Sequence, residues 1–225
     1  MRLRTGQRIL DLQTALLTSL DQLAHAHQRE GEIGAKIQQT LLFGQLPHDV
    51  EGARFAALTI PSQHVDGDFY DFFRHGAHCC DIVVGDVMGK GVPAALLGAA
   101  LKSSLPRALS RLLISSARSA LPEPEEIVML VQREVAKQFI DLGVFATLCY
   151  ARLDLGQRRL TLVDCGHTKT IHFRRHTGDC EVLQGDNMPL GFSEQEIYQQ
   201  VSFPIAVGDV LVFYSDGLTE ARNAE

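Results

Sequence analysis

The chemistry this chain offers is concentrated in five aspartates. Asp66, Asp68 and Asp71 fall within Val65-Asp66-Gly67-Asp68-Phe69-Tyr70-Asp71, and Asp86 lies eighteen residues after Asp68 in Val84-Gly85-Asp86-Val87-Met88-Gly89-Lys90-Gly91. The stretch between them reads as two apolar strands, Phe72-Phe73 and Cys79-Cys80-Asp81-Ile82-Val83-Val84, around a short turn at His75-Gly76-Ala77-His78. A hairpin of that length returns the chain beside its start, so Asp68 and Asp86 are expected to lie together. Carboxylates so placed repel unless a cation sits between them. The hard divalent ions Mg²⁺ and Mn²⁺ suit such a place, because they prefer carboxylate, carbonyl and water oxygens. Near the end, Asp209-Val210-Leu211-Val212-Phe213-Tyr214-Ser215-Asp216-Gly217 reads as a strand closing on an Asp-Gly turn, with Asp216 emerging at its end. Three aspartates at strand ends beside glycine suit one metal-centred site. Taken singly, each is equally a turn residue whose side chain binds local backbone.

Gly85, Gly89 and Gly91 permit tight turns and close approach to an ion or phosphate. Val92-Pro93-Ala94-Ala95 then opens a helix with Pro93 in its first turn. GDFYD from Gly67, GDVMGKGVPAALLGA from Gly85, MPLGF from Met188 and YSDGLTEARN from Tyr214 follow one another in order. In this order and spacing the chain resembles the SpoIIE/RsbU-type serine phosphatases of the metal-dependent PPM (PP2C-like) superfamily, from about Ile37 to the last residue.

The resemblance implies an α+β fold, a PP2C-like sandwich of two antiparallel sheets flanked by helices. It implies that Asp68, Asp86 and Asp216 are the catalytic set. Asp86 would bridge two Mn²⁺ or Mg²⁺ ions, the Val87 carbonyl would bind one, Asp216 the other, and Asp68 would hold a metal directly or through water. Such ions make hydroxide available near neutral pH and stabilise the charge of in-line attack, with no covalent enzyme intermediate. The implied reaction is hydrolysis of phosphoserine or phosphothreonine on a protein, with a STAS-type anti-sigma antagonist the leading substrate. Further candidates are Asp71, which holds metal or orients the loop, and Gly217 in the Asp-Gly turn. Lys90 touches phosphate or is merely exposed. His167 sits in Cys165-Gly166-His167-Thr168-Lys169, which resembles the family's Ala-Gly-His-Pro-Pro turn. It shapes the site, donates a proton or serves as a structural hydrogen-bonding group. Asp66 stands where the family usually has glycine, and the Met188–Gly191 turn is read as structural. Members of the family continue to an Asp-Asp-x-Thr motif that nothing here matches. The chain is therefore expected to be a fragment lacking its last ligand, holding one metal firmly and turning over slowly or not at all. The rival reading is a catalytically impaired binding or regulatory module acting through a coiled coil. A hydrolase of small phosphoesters is a third reading.

The elements that must position these residues follow from the rest of the chain. Its 225 residues suit one sizeable domain plus an extension, assigned as a helical linker or dimerisation segment at 1–45 and the phosphatase domain at 46–225. A net charge of −6 speaks against a nucleic-acid surface. No apolar run spans a membrane and no secretory signal is present, so a cytoplasmic location is expected. The five cysteines lack CxxC spacing and are read as buried free thiols, not a zinc site. Residues 1–43 read as helix, with Ile9, Leu16, Leu23 and Ile37 at heptad a and Leu12, Ala26 and Ile33 at d, interrupted by Glu30, Ser19 and Thr40. That pattern fits a homodimerising coiled coil or an amphipathic helix packed on its own domain. A strand is expected over Arg54–Ile60 and helices over Val92–Ser116 and Glu125–Phe139. Further strands are expected over Phe145–Leu153, Arg159–Asp164, Thr170–Arg174, Cys180–Leu183, Ile197–Phe203 and Asp209–Ser215. The eight histidines other than His167 are read as surface or turn residues.

Overall fold

The computed structural model describes residues 2–60, 65–115 and 120–221. Ser116, His64 and residues 222–225 lie outside them, as do the side chains of Ile9, Ala26, His27, Glu30, Ile33 and Ile37.

Helix α1 (Arg2–Leu41) runs for 40 residues. Every residue from 12 to 25 is exposed, so this length does not pack on its own domain. The far end of α1 is tied in. Gly34 is buried against Val65, and Leu42 is fully buried. The chain then pairs in parallel with strand β1 (Phe69–Arg74) through a Phe43–Tyr70 bridge. The Gly44 N–H donates to the Tyr70 carbonyl at 2.8 Å, the Tyr70 N–H to the Leu42 carbonyl at 3.1 Å, and the Phe43 ring stacks on Tyr70.

β1 pairs with β2 (Cys79–Val87), which pairs in turn with β3 (Ala146–Asp154) and through it with β4 (Arg159–Cys165). Strands β5 (Thr170–Phe173) and β6 (Cys180–Leu183) form a hairpin in a second sheet. β7 (Val201–Pro204) returns to β4 and completes a five-stranded antiparallel sheet, while β8 (Val210–Val212) joins β5 to complete a three-stranded one. Helices α2 (Val92–Ser115) and α3 (Pro124–Leu142) cover the outer face of the larger sheet. Phe69, Val83, Val87, Leu101, Leu105, Ile127, Val131, Leu148 and Tyr150 fill the layer between them. Ile82, Ala151, Leu160, Leu162 and Leu183 fill the layer between the two sheets. β2 and β3 are thus covered on both faces, which explains their largely apolar sequences. The α+β sandwich of two antiparallel sheets is as expected.

Local chemistry sets the ends of α3. Pro124 takes the first helical position, Glu126 accepts the Glu123 N–H at 2.9 Å, and Gly143 closes the helix with φ 66°. Among the described residues no helix is long and apolar enough to cross a membrane.

Several expectations need correction. Arg54–Ile60 forms no strand, because no neighbouring strand is there to pair with it, and Leu58 and Ile60 stand 85% and 82% exposed. β7 begins at Val201, not Ile197, because side chains capture the preceding backbone. The Gln199 N–H donates to Asn187 Oδ1 at 2.8 Å and the Gln200 N–H to Glu125 Oε2 at 3.0 Å. β8 ends at Val212, since Tyr214 and Ser215 turn their bonds toward Thr168 and Asp68. Cys80, Cys149 and Cys165 are buried free thiols, but Cys79 is half-buried and Cys180 exposed. His172 is fully buried in β5 between Asp209 and Glu181, so it is neither a surface nor a turn residue, whereas His75 lies in the β1–β2 turn with its side chain nearly buried against Asp81.

Candidate metal centre

The hairpin brings its acids together by register. Phe69 faces Gly85 across β1 and β2, so one further step sets Asp68 opposite Asp86. Asp86 in turn faces Thr147 on β3. Residues opposite one another project to the same face, so Asp68, Asp86 and Thr147 form a row at one end of the large sheet. Gly67 makes the approach possible, since a Cβ there would lie 2.4 Å from the Val87 carbonyl oxygen. Asp216 arrives separately, on a short 3₁₀ turn (Asp216–Leu218) beyond β8 of the smaller sheet, and stands exposed.

The carboxyls feel one another. Burial pushes Asp68 up to about 6, the Ser215 hydroxyl opposes this, and the charges of Asp216 and Asp66 add to it. Burial pushes Asp86 up to about 7, with Asp68, Asp216 and Asp66 adding repulsion in that order. Ser215 donates to Asp68 Oδ2 at 3.1 Å, and Asp68 Oδ1 is buried with no hydrogen-bond partner. A crowded set of acids, one orphaned carboxylate oxygen and a backbone carbonyl fit an oxygen-seeking cation. Among the described residues no three His, Cys, Asp or Glu side chains already enclose an ion-sized space. The Asp68–Asp86 pair is therefore the core of the arrangement, with Asp216 at its open side.

The other candidates are placed as follows. Asp71 accepts its neighbour Phe72's N–H at 2.9 Å and pairs with Lys102 of α2 at 3.5 Å, which keeps it out of the acidic row. Lys90 is exposed, and its backbone bridges to Asp66, while Gly91 N–H donates to the Val65 carbonyl at 2.6 Å. A Cβ on Gly217 would meet nothing within 4 Å, so nothing in the geometry requires glycine there. His167 is buried, and its Nδ1 shares a 2.9 Å hydrogen bond with the Thr147 hydroxyl. Burial pushes the imidazole down to about 4, against the pull of the Tyr214 carbonyl and the Asp216 charge. Nε2 makes no well-formed hydrogen bond.

Three residues near the centre were not singled out from the sequence. Thr147 gives no signal in sequence, since only strand register places it beside Asp86. Ser215 precedes Asp216 and falls at the end of the expected strand Asp209–Ser215. Asp164, before Cys165-Gly166, carries the mark of a turn-capping residue. It accepts the His167 N–H at 2.9 Å and the Gly185 N–H at 3.1 Å.

The family model described as Stage II sporulation protein E (SpoIIE) matches residues 76–225. The chain belongs to the SpoIIE family. The match includes Asp86, Val87, Lys90, His167, Asp216 and Gly217, and begins after Asp68 and Asp71. This SpoIIE-family chain is similar to the phosphoserine phosphatase RsbU of Bacillus subtilis (strain 168), with 29% identity over 197 residues, 86% of this chain and 54% of the relative. It is similar to the phosphoserine phosphatase RsbP of the same organism, with 23% identity over 196 residues, 86% of this chain and 46% of the relative. The chain thus spans about half the length of these relatives. The solved PP2C phosphatase domain of SpoIIE from Bacillus subtilis, with a fragment of its regulatory domain, superposes with a TM-score of 0.56 and 21% identity. That superposition covers 79% of this chain and 48% of the other. It shows that the SpoIIE-family chain has the PP2C-like fold.

Proposed function

We propose that this chain is a metal-dependent phosphatase of phosphoserine or phosphothreonine in a protein, of the partner-switching signalling type. The observation that carries the reading is the Asp68–Asp86 pair, facing one another beside the Val87 carbonyl with one carboxylate oxygen unpartnered. Asp68, Asp86, the Val87 carbonyl and Asp216 would hold Mn²⁺ or Mg²⁺, two ions in the full arrangement. Bound there, such ions supply Lewis acidity that lowers the pKa of water and screens the charge of phosphate. The chain's own residues set up the rest. Ser215 holds one oxygen of Asp68 and leaves the other facing the site. Gly67 lacks the Cβ that would press on the Val87 carbonyl. Asp216 stands on the exposed side of the pair.

RsbU and RsbP, phosphoserine phosphatases by name, support a phosphoprotein substrate. A STAS-type anti-sigma antagonist in the cytoplasm is the substrate we favour. The exposed leucines of α1 support a homodimer through that helix. The test is hydrolysis of p-nitrophenyl phosphate and of a phosphoserine protein, with and without Mn²⁺. Activity should require Mn²⁺ and fall at least about a hundredfold in Asp86→Asn, as expected when a charge-stabilising group is lost. Metal-dependent activity that survives Asp86→Asn would remove the assignment. One observation favours a second reading, a regulatory module of impaired catalysis: no three acids converge on an ion-sized space among the described residues. No turnover with Mn²⁺ in excess would select it.

A further inference from the structure

We infer that His167 is a positioning residue that locks the two sheets in register at the metal centre, acting through Thr147 on Asp86, while its neighbour Thr168 holds the Tyr214 carbonyl on the arm carrying Asp216. The inference rests on the metal-dependent reading above.

The centre is divided between the sheets. Asp68 and Asp86 belong to the five-stranded sheet, whereas Asp216 comes from beyond β8 of the three-stranded one. Any sliding of one sheet on the other would separate the acids. The chain crosses between the sheets at residues 166–169, from β4 to β5. That crossing is firmly built. Asp164, just before it, accepts the N–H of His167 within the crossing and the N–H of Gly185 beyond β6. Gly166 takes φ 68°, and a Cβ there would lie 3.0 Å from Pro189, so the turn favours glycine and is closely packed.

From this turn two adjacent side chains reach in opposite directions. The His167 Nδ1 bonds to Thr147, the residue directly opposite Asp86. The Thr168 hydroxyl donates to the Tyr214 carbonyl, two residues before Asp216. The free side of the imidazole, Nε2, is buried without a partner beside the same arm. A residue needed only to fill space between sheets would be apolar, since a buried ring nitrogen left unpaired is costly and uncommon. Partners that orient a ligand from behind typically change metal affinity by about 10–100-fold when removed.

The test reads Mn²⁺ binding to the whole chain by loss of the free-ion EPR signal, which needs no turnover. A second readout is amide hydrogen exchange in the metal-free chain. His167→Ala and Thr147→Val should each weaken Mn²⁺ binding about tenfold, and the double variant should lose no more than the worse single one. His167→Asn, which places a polar atom near the Nδ1 position, should recover most of the affinity. Exchange at 213–216 should quicken in His167→Ala while the β3–β4 ladder stays protected, a pattern that general loss of stability would not give. If His167→Ala does not fold, Thr168→Val should show the same local quickening at 213–216. Unchanged affinity and exchange, or additive losses in the double variant, would overturn the inference while leaving the phosphatase reading intact. A wild-type chain that binds Mn²⁺ no better than Asp86→Asn would overturn both.

Discussion

Asp81 is fully buried within the helix-covered face of β2, 71 positions before the arginine that neutralises it. Arg152 Nε donates to Oδ1 at 2.7 Å and Nη2 to Oδ2 at 2.8 Å, with His75 Nε2 on Oδ2 at 2.8 Å and the Tyr150 hydroxyl donating to the same oxygen. Arg152 also donates to the Pro122 carbonyl, which ties the segment before α3 to the sheet. Burial alone would raise the Asp81 carboxyl, but the hydrogen bonds and charges of Arg152, then His75, outweigh it and hold it below the usual range. Replacing Asp81 with Asn leaves a buried guanidinium without its counter-charge and should cost about 3–5 kcal/mol in urea unfolding. The lowered carboxyl binds fewer protons folded than unfolded. Its contribution is therefore complete above the unfolded value, about 3.9, and is lost as pH falls through the lower folded value. The difference in urea midpoint between wild type and Asp81→Asn should accordingly shrink below about pH 4. A constant difference down to pH 2–3, roughly one to two units under that unfolded value, would refute this account. Both charges were legible as intruders in apolar runs, Cys79–Val84 and Cys149–Leu153. Their partnership was not, because it depends on which residues of β2 and β3 face each other. His172 went unrecognised for the same reason, since its carboxylates lie on β6 and in the turn before β8.

At the scale of elements, α1 meets the acidic loop through a glycine. A Cβ on Gly34 would come within 2.0 Å of Val65 Cγ2, and Val65 is 7% exposed and β-branched, with little freedom to turn aside. In an exposed helix Gly→Ala gains about 0.5–1 kcal/mol. Here the sign should reverse: Gly34→Ala should lower the thermal midpoint, or free α1 to fray from the loop, read as faster amide exchange at 34–44. A midpoint raised by the substitution would show that α1 does not dock at Gly34. The helices, and six of the strands, lay close to their expected positions because capping residues and apolar runs mark them locally. Arg54–Ile60 failed as a strand for a non-local reason. Its pattern is strand-like, but a strand exists only where a neighbour offers backbone groups. The row Asp68–Asp86 was foreseeable from hairpin length, whereas Thr147 and Ser215, which complete its surroundings, were fixed only by register and by the course of the chain beyond β8.

The whole molecule leaves a long apolar stripe in water. Leu12, Leu16 and Leu23, three of the expected heptad positions, are 65%, 60% and 66% exposed, and Leu17 and Leu20 widen the stripe. At about 1.5 Å per residue α1 extends roughly 60 Å, and among its described side chains those of residues 12–25 all stand exposed. Isolated helices are marginal in water without an apolar face to bury, so a 40-residue helix with exposed leucines calls for a second surface. A second copy of α1 supplies one of matching pattern. The chain should sediment as a dimer, and Leu16→Asp with Leu23→Asp should convert it to a monomer. The sandwich should keep its thermal midpoint, since neither leucine contributes to its core. Losing the dimer and the folded core together would mean that α1 supports the sandwich directly. A wild-type chain that stays monomeric as its concentration is raised would leave the stripe to a different partner and end the homodimer proposal.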